Sequence, residues 1–188
     1  MALHVINKVN ARLKFLYRQR KFLTKPLRRL LCNAMIQSFF DYASSVWYPN
    51  INVNLSKRLQ TAQNKCIRFC LDLGHRETIR VEHFNEINWL KVDKRFTQSV
   101  LASVFNFFDS HCPEYMKEMF SPADQLGPET RHSYKKLKIP SRKTNAGLSA
   151  LSYIGPSTWN KFPTILKVSK NVNTFKHEVK KYFLLEQK

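Results

Sequence analysis

Residues 54–74, NLSKRLQTAQNKCIRFCLDLG, decide how the chain is read. Leu55, Leu59, Ala62, Cys66, Phe69, Cys70 and Leu73 recur at spacings of three and four, which places them on one side of a helix. Lys57, Arg58, Asn64, Lys65 and Arg68 fall on the other side. Asn54 has the side chain of an N-cap, and Gly74 is the residue that ends such a helix. A long helix with one apolar and one basic face needs other helices to cover it, so the expected class is mainly α.

The same periodicity extends in both directions. Before this stretch, Val5, Val9, Leu13, Leu16 and Tyr17 form a stripe while Lys8, Arg12, Lys14 and Arg18 lie outside it, the pattern of an amphipathic basic helix. Thr24 followed by Pro26 reads as a helix start, opening a largely apolar second helix to about Val46, ended by Pro49 and Asn50. After it, Thr78 caps a short helix to Ile87 and Asp93 another to Phe108, with Phe96, Val100, Val104, Phe107 and Phe108 as a wide aromatic face. Pro113 begins a short turn of helix to Phe120. Beyond Phe120 the texture changes, because Pro122, Gly127, Pro128, Pro140, Gly147, Gly155, Pro156 and Pro163 interrupt the chain too often for long helices. The expectation there is a loop and ribbon region, with Ser133–Ile139 and Leu148–Ile154 as the strands of a small β-hairpin, then a closing helix over Val172–Leu185. The overall expectation is an irregular helical bundle over residues 1–120 and a loop-rich segment over 121–188. No repeat of 20–50 residues is present, which excludes a solenoid.

Charge restricts function more than pattern does. The 188 residues carry 32 Lys+Arg against 13 Asp+Glu, a formal charge of +19, with 43% apolar and 13% aromatic residues. So many apolar residues place the chain outside the low-hydrophobicity class of disordered proteins. A charge this high repels itself unless a polyanion offsets it. It is also unevenly placed. Residues 72–129 hold ten acids and six bases, which leaves 26 bases and three acids elsewhere. No acid precedes Asp41, and none lies between Glu129 and Glu178. Two groups interleave bases with planar rings. The first is Arg12, Lys14, Arg18, Arg20, Lys21, Lys25, Arg28 and Arg29; the second is Arg131, His132, Tyr134, Lys135, Lys136, Lys138, Arg142 and Lys143. Six to ten phosphate contacts from such groups would weaken binding about a thousand- to a hundred-thousandfold between roughly 50 and 200 mM salt. RNA, DNA or both are the expected partners. Tyr134, Tyr153 and Trp159 have rings able to stack on bases, and are equally suited to packing.

Other chemistries find little footing. Cys66, Cys70, His75, His83, His111 and Cys112 are the metal-ligand candidates, but none forms a C-x-x-C pair, and Cys66 and Cys70 lie on the apolar stripe. Neither a metal nor another cofactor is expected. Two-metal chemistry needs grouped carboxylates, whereas Asp41 stands alone and the acids of the middle segment are scattered among Arg and Lys. Four glycines at 74, 127, 147 and 155 make no phosphate loop, and no G-x-S-x-G turn marks a nucleophile. The expectation is therefore no catalytic residue and no enzyme activity in this chain alone. Four scattered cysteines do not make a disulfide framework, and no apolar run reaches the roughly 18–20 residues of a membrane span. These features imply reduced thiols and an intracellular location, nuclear or cytoplasmic. Residues 1–23, Arg-rich and acid-free, also have the composition of a mitochondrial presequence.

Three blocks give the chain a likeness. The first is Cys32-Asn33-Ala34-Met35-Ile36-Gln37-Ser38-Phe39-Phe40-Asp41-Tyr42-Ala43-Ser44-Ser45-Val46-Trp47 with Leu59-Gln60-Thr61-Ala62-Gln63-Asn64-Lys65-Cys66-Ile67-Arg68. The second is Ile87-Asn88-Trp89-Leu90-Lys91-Val92. The third runs through Thr130-Arg131 and Ser133, then Ser152-Tyr153-Ile154-Gly155-Pro156-Ser157-Thr158-Trp159-Asn160-Lys161-Phe162-Pro163, then Phe175-Lys176 and Val179-Lys180. Together they resemble the region downstream of the polymerase domain in non-LTR retrotransposon (LINE, jockey-like) reverse transcriptases, across nearly the whole chain. The glycine-proline to tryptophan-asparagine pattern at 155–160 is the most specific part. Ser38, Phe39 and Phe162 depart from it, standing where the family often has Pro, His and Leu. The resemblance implies a thumb-proximal helical part to about residue 120 and a C-terminal segment after it, both helping to hold template RNA and target DNA. It also implies that the Tyr-x-Asp-Asp polymerase motif and the endonuclease domain of such a protein lie upstream of residue 1. Because residues 8–23 look like family sequence, it weighs against a presequence. The rival expectation is a structural or protein-interaction relic, whose aromatic face once packed on the polymerase region and which has no independent activity.

Overall fold

The computed structural model describes residues 1–108, 112, 114–123 and 136–186. The chain is mainly helical, and it divides into two compact units, residues 1–96 with 183–188, and residues 97–182.

In the first unit α1 spans Ala2–Arg18 and buries Ala2, Val5, Ile6, Val9, Leu13 and Leu16. That stripe packs on α5, Val53–Leu71, which buries Leu59, Ala62, Gln63, Cys66, Ile67, Phe69, Cys70 and Leu71. A 3-10 turn at Arg20–Phe22 leads into α2, Lys25–Cys32, which also packs on α5. Pro26 sits in the first turn of α2, where its missing N–H has no helical partner to lose. The cap of α5 is Asn52, whose side chain accepts the Leu55 N–H at 2.8 Å. Its end is Asp72, in the left-handed region at φ 66°. Both lie two residues before the Asn54 and Gly74 that the sequence nominates, since Asp tolerates this conformation and its carboxylate is held there by two arginines.

The expected single helix from Thr24 to Val46 is broken. After α2 the backbone widens into a π turn at Asn33–Gln37, continues as α3, Ser38–Asp41, and stops at Tyr42 and Ala43 before α4, Ser44–Trp47. Ala43 has φ 48°. The break frees the Tyr42 carbonyl, which accepts the Trp47 indole N–H at 2.8 Å. Apolar periodicity alone carries no sign of such an interruption. Short helix α6, Val81–Glu86, and α7, Val92–Phe107, follow close to the expected places.

In the second unit α7 continues, α8 spans Glu114–Met119, α9 Asn145–Leu148 and α10 Leu151–Lys161, and α11, Val172–Glu186, belongs to it as far as Tyr182. Among the described residues the expected β-hairpin is not formed. Leu137 makes an isolated antiparallel bridge to Pro122, while Leu148 ends α9 and Leu151–Ile154 open α10, with Ser149 and Ala150 as the link between them. Residues 133–135 of the expected first strand lie outside the described residues. Packing explains why the Gly155-Pro156 pair does not break α10. Gly155 and Trp159 are one turn apart and both buried, and a Cβ on Gly155 would lie 2.8 Å from the Phe120 ring and 3.0 Å from Val104. Only a residue without a side chain allows that approach, so the burial of Trp159 outweighs local helix propensity. Around Trp159 the rings of Phe105 and Phe175 stack at 4.5 Å, Phe108 stacks on Trp159 at 5.4 Å, and Phe162 meets Phe175 edge-on at 6.3 Å.

Candidate nucleic-acid interface

With the apolar stripe of α1 turned to α5, the rest of the helix faces outward. His4, Lys8, Ala11, Phe15 and Arg18, at alternating spacings of four and three, share the side opposite the core, and all are exposed. Arg12 and Lys14 flank them and are exposed too. Lys8 leans toward the Phe39 ring, its Nζ 5.5 Å from the centroid. Lys21 and Lys25 continue the exposed basic series past the helix end, and Arg29 is half-buried on α2.

Arg20 and Arg28 have a different role. Arg28 is buried, and its guanidinium donates to the Leu23 carbonyl at 2.9 Å, the Arg20 carbonyl at 3.0 Å and the Asp72 carboxylate at 2.6 Å. It also lies 5.6 Å from the centre of the Phe69 ring. Arg20 is half-exposed, donates through Nε to the same Asp72 oxygen at 2.9 Å, and rests against Tyr17. The hydrogen bonds from Arg20 and then Arg28 hold the Asp72 carboxyl below its usual range. These two arginines fasten the end of α5 to the chain between α1 and α2, so Arg28 directs its charge inward.

Acids are likewise occupied. Asp41 is paired with Arg95, whose Nη2 donates at 2.6 Å, and Glu186 with Lys94 at 2.7 Å. Since Asp72 is also paired, none of these carboxylates offsets the basic series of α1.

In the second unit Lys136, Lys138, Arg142 and Lys143 are exposed on a non-helical segment. Arg131 and Lys135 lie outside the described residues, as do His132 and Tyr134. What anchors the segment is Asn160, whose side-chain amide accepts the Leu137 N–H at 3.0 Å and donates to the Leu137 carbonyl at 2.8 Å, so one side chain satisfies both backbone groups of a buried residue. Arg142 approaches the Ser152 hydroxyl at 3.5 Å. Lys167, in the same unit, is buried with its Nζ 5.2 Å from the Trp159 ring centre. Burial lowers its ammonium pKa, and nearby Lys136 lowers it further. Nothing in the spacing around Lys167 marks it as an inward residue.

Several residues of the three blocks quoted above hold the interior together. Gln63, fully buried, donates to the Leu90 carbonyl at 2.8 Å and accepts from Gln60 at 2.9 Å. Gln60 in turn accepts the Val92 N–H at 3.0 Å, and the Trp89 indole donates to Asn33 at 2.8 Å. Trp159 is buried and Asn160 grips Leu137, so neither Trp159 nor Asn160 is presented as a contact surface. Tyr153 is half-buried on α10.

Of the metal-ligand candidates, Cys66, Cys70 and Cys112 are buried thiols outside any disulfide, as is Cys32. The Cys32 thiol pKa is raised by its hydrogen bond with Cys70 and by burial, and that of Cys66 by burial, which keeps both protonated. His75 is exposed, and His83 Nδ1 accepts the Arg80 N–H at 3.0 Å. His111 lies outside the described residues. Among the described residues no group of three or more His, Cys, Asp or Glu is placed to hold a metal ion, and no helix is long and apolar enough to cross a membrane. The chain matches no family model, no curated protein and no solved structure.

Proposed function

We propose that this chain is a non-catalytic, nucleic-acid-binding segment of a LINE-type RNA-directed DNA polymerase, holding RNA or DNA mainly through phosphate contacts. The observation that carries the reading is the exposed basic series of α1 and its continuation, Lys8, Arg12, Lys14, Arg18, Lys21 and Lys25, with no acid before Asp41 and with Asp41 paired to Arg95. A positive surface without internal counter-charge attracts a polyanion and gains from counterion release. Lys136, Lys138, Arg142 and Lys143 offer a second, smaller set. The resemblance of the three sequence blocks supplies the choice of parent protein. Docking against the polymerase region of such a parent is a second reading, favoured by Tyr42, Val46 and Val53, which are large, apolar and mostly exposed.

The test is fluorescence anisotropy of labelled RNA and single-stranded DNA across a salt series. Binding should weaken steeply with salt, with a logarithmic slope of roughly 0.7 per neutralised phosphate. Charge reversal of Arg12 and Arg18 to Glu should reduce that slope and weaken unrelated sequences alike, and reversal of Arg142 and Lys143 should do so to a smaller extent. Absent or salt-insensitive binding of both nucleic acids overturns the proposal.

A further inference from the structure

We propose that the outward face of α1 and the 3-10 turn after it form a stacking platform for single-stranded nucleic acid, with unpaired bases laid on the Phe15 and Phe22 rings between phosphate-binding cations. The inference rests on the nucleic-acid reading above and goes beyond it by naming the bases, and not only the backbone, as what this surface holds.

Phe15 belongs to the outward stripe of α1, one turn before Arg18 and one turn after Ala11, and is 52% exposed. The helix already has an apolar side in Val5, Val9, Leu13 and Leu16, all buried, and Phe15 lies off that side. Phe22 follows four residues after the helix end, next to Lys21, and is 81% exposed. Two large rings in water, each set among cations, fit a ligand that is anionic and also offers flat apolar faces.

Two other occupants fit less well. A bilayer would require the apolar side of α1, and that side is engaged with α5. A protein interface has a core depleted in charge, whereas Lys8, Arg12, Lys14 and Arg18 surround Phe15. Within nucleic acids the choice is also physical. In a duplex the bases cover one another's faces, so a ring on a convex helix surface meets base edges, sugar and phosphate but no free base face. Unpaired bases present a free π face, and stacking on it tolerates any sequence.

The full chain is titrated with four labelled ligands of matched charge: oligothymidylate, an abasic strand with the same number of phosphates, a duplex and polyglutamate. Phosphatidylserine vesicles are added as a fifth. Oligothymidylate should bind more tightly than the abasic strand. Replacing Phe15 and Phe22 together by Ala should remove that difference, about fivefold or more for each ring. The abasic strand should bind the variant and the unaltered chain alike, with an unchanged salt slope. Phe15→Tyr with Phe22→Tyr should restore binding, and because both rings are exposed the thermal midpoint should not move. Equal affinity for oligothymidylate and the abasic strand overturns the stacking proposal while leaving phosphate binding intact. So does a loss of the same size on duplex, polyglutamate or vesicles. Absence of salt-dependent binding to every nucleic acid overturns both readings.

Discussion

In residues 1–96 the helices are joined by amides: Gln63 holds the Leu90 carbonyl, Gln60 the Val92 N–H, and Asn33 the Trp89 indole. In residues 97–182 rings make most of the described joints, with Phe105, Phe108, Trp159, Phe162 and Phe175 in contact and the amides of Asn160 and Gln98 beside them, the latter donating to the Lys176 carbonyl at 2.7 Å. The difference follows from what each unit must connect. The first joins helices through the turn at Ile87–Lys91, whose backbone groups need partners once buried. The second gathers short elements separated by Pro and Gly, where broad apolar rings cover more area per residue than aliphatic side chains do. The basic groups differ in the same way. Those of the first unit ride on a two-sided helix with its core face fixed, while Lys136 to Lys143 follow a segment held at Leu137 by Asn160.

The sharpest way to break the second unit is Trp159→Ala. Removing a fully buried indole that touches Phe108 and Phe175 should destabilise the chain by about 3–5 kcal/mol. Denaturant unfolding followed by circular dichroism would measure this, and a loss below about 1 kcal/mol would mean that the rings are not the joint.

The amides can be compared next. Asn160→Leu leaves the Leu137 N–H and carbonyl without partners, at about 1–3 kcal/mol for each group that stays dry. The same change at Gln63 leaves the Leu90 carbonyl unpaired and should cost less, since a single backbone group is orphaned and the Gln60 amide that also loses Gln63 keeps Asn64 as an acceptor. Equal losses in the two variants would erase the distinction between a two-sided and a one-sided clamp. A further readout separates them, because releasing Leu137 should also weaken the contribution of Arg142 and Lys143 to RNA binding.

The smallest effect concerns the fastening of α5. Asp72 has its carboxyl pKa lowered by the hydrogen bonds from Arg20 and Arg28, so the folded state binds a proton less readily than the unfolded one. The stabilisation is fully present above the ordinary value of 3.8 and is lost as pH falls through the lowered folded value. Asp72→Asn keeps a residue that accepts the left-handed backbone but removes the titration. The variant should be less stable than the unaltered chain at neutral pH and should converge with it in acid. Parallel pH profiles of the two would show that the arginines do not act through the carboxylate.

Much of the helical organisation was legible from periodicity. Val5, Val9, Leu13 and Leu16 recur at spacings of four and three and are buried, and the outward positions Lys8, Arg12, Lys14 and Arg18 are exposed. Gln63 was legible in principle, since it falls on the line of Leu59, Cys66 and Cys70, and a polar residue on an apolar stripe calls for a buried partner. The inward turn of Arg28 was not. Its position among Arg20, Lys21 and Arg29 makes it look like one more surface base, and its partners Asp72 and Phe69 are more than forty residues away in the chain. The helix over Leu151–Lys161 was hidden by Gly155 and Pro156 for the same kind of reason, because the contacts that favour it come from Phe120 and Val104.

By itself the sequence determined the helical class, the two sides of α1 and α5, and the uneven charge, because these depend on residues within a few positions of one another. Tertiary structure decided which bases face solvent, which tryptophans and amides are structural, and that Leu151–Ile154 begin a helix rather than a strand. Those outcomes depend on groups brought together from distant parts of the chain, and burial and hydrogen bonding there outweigh local preference.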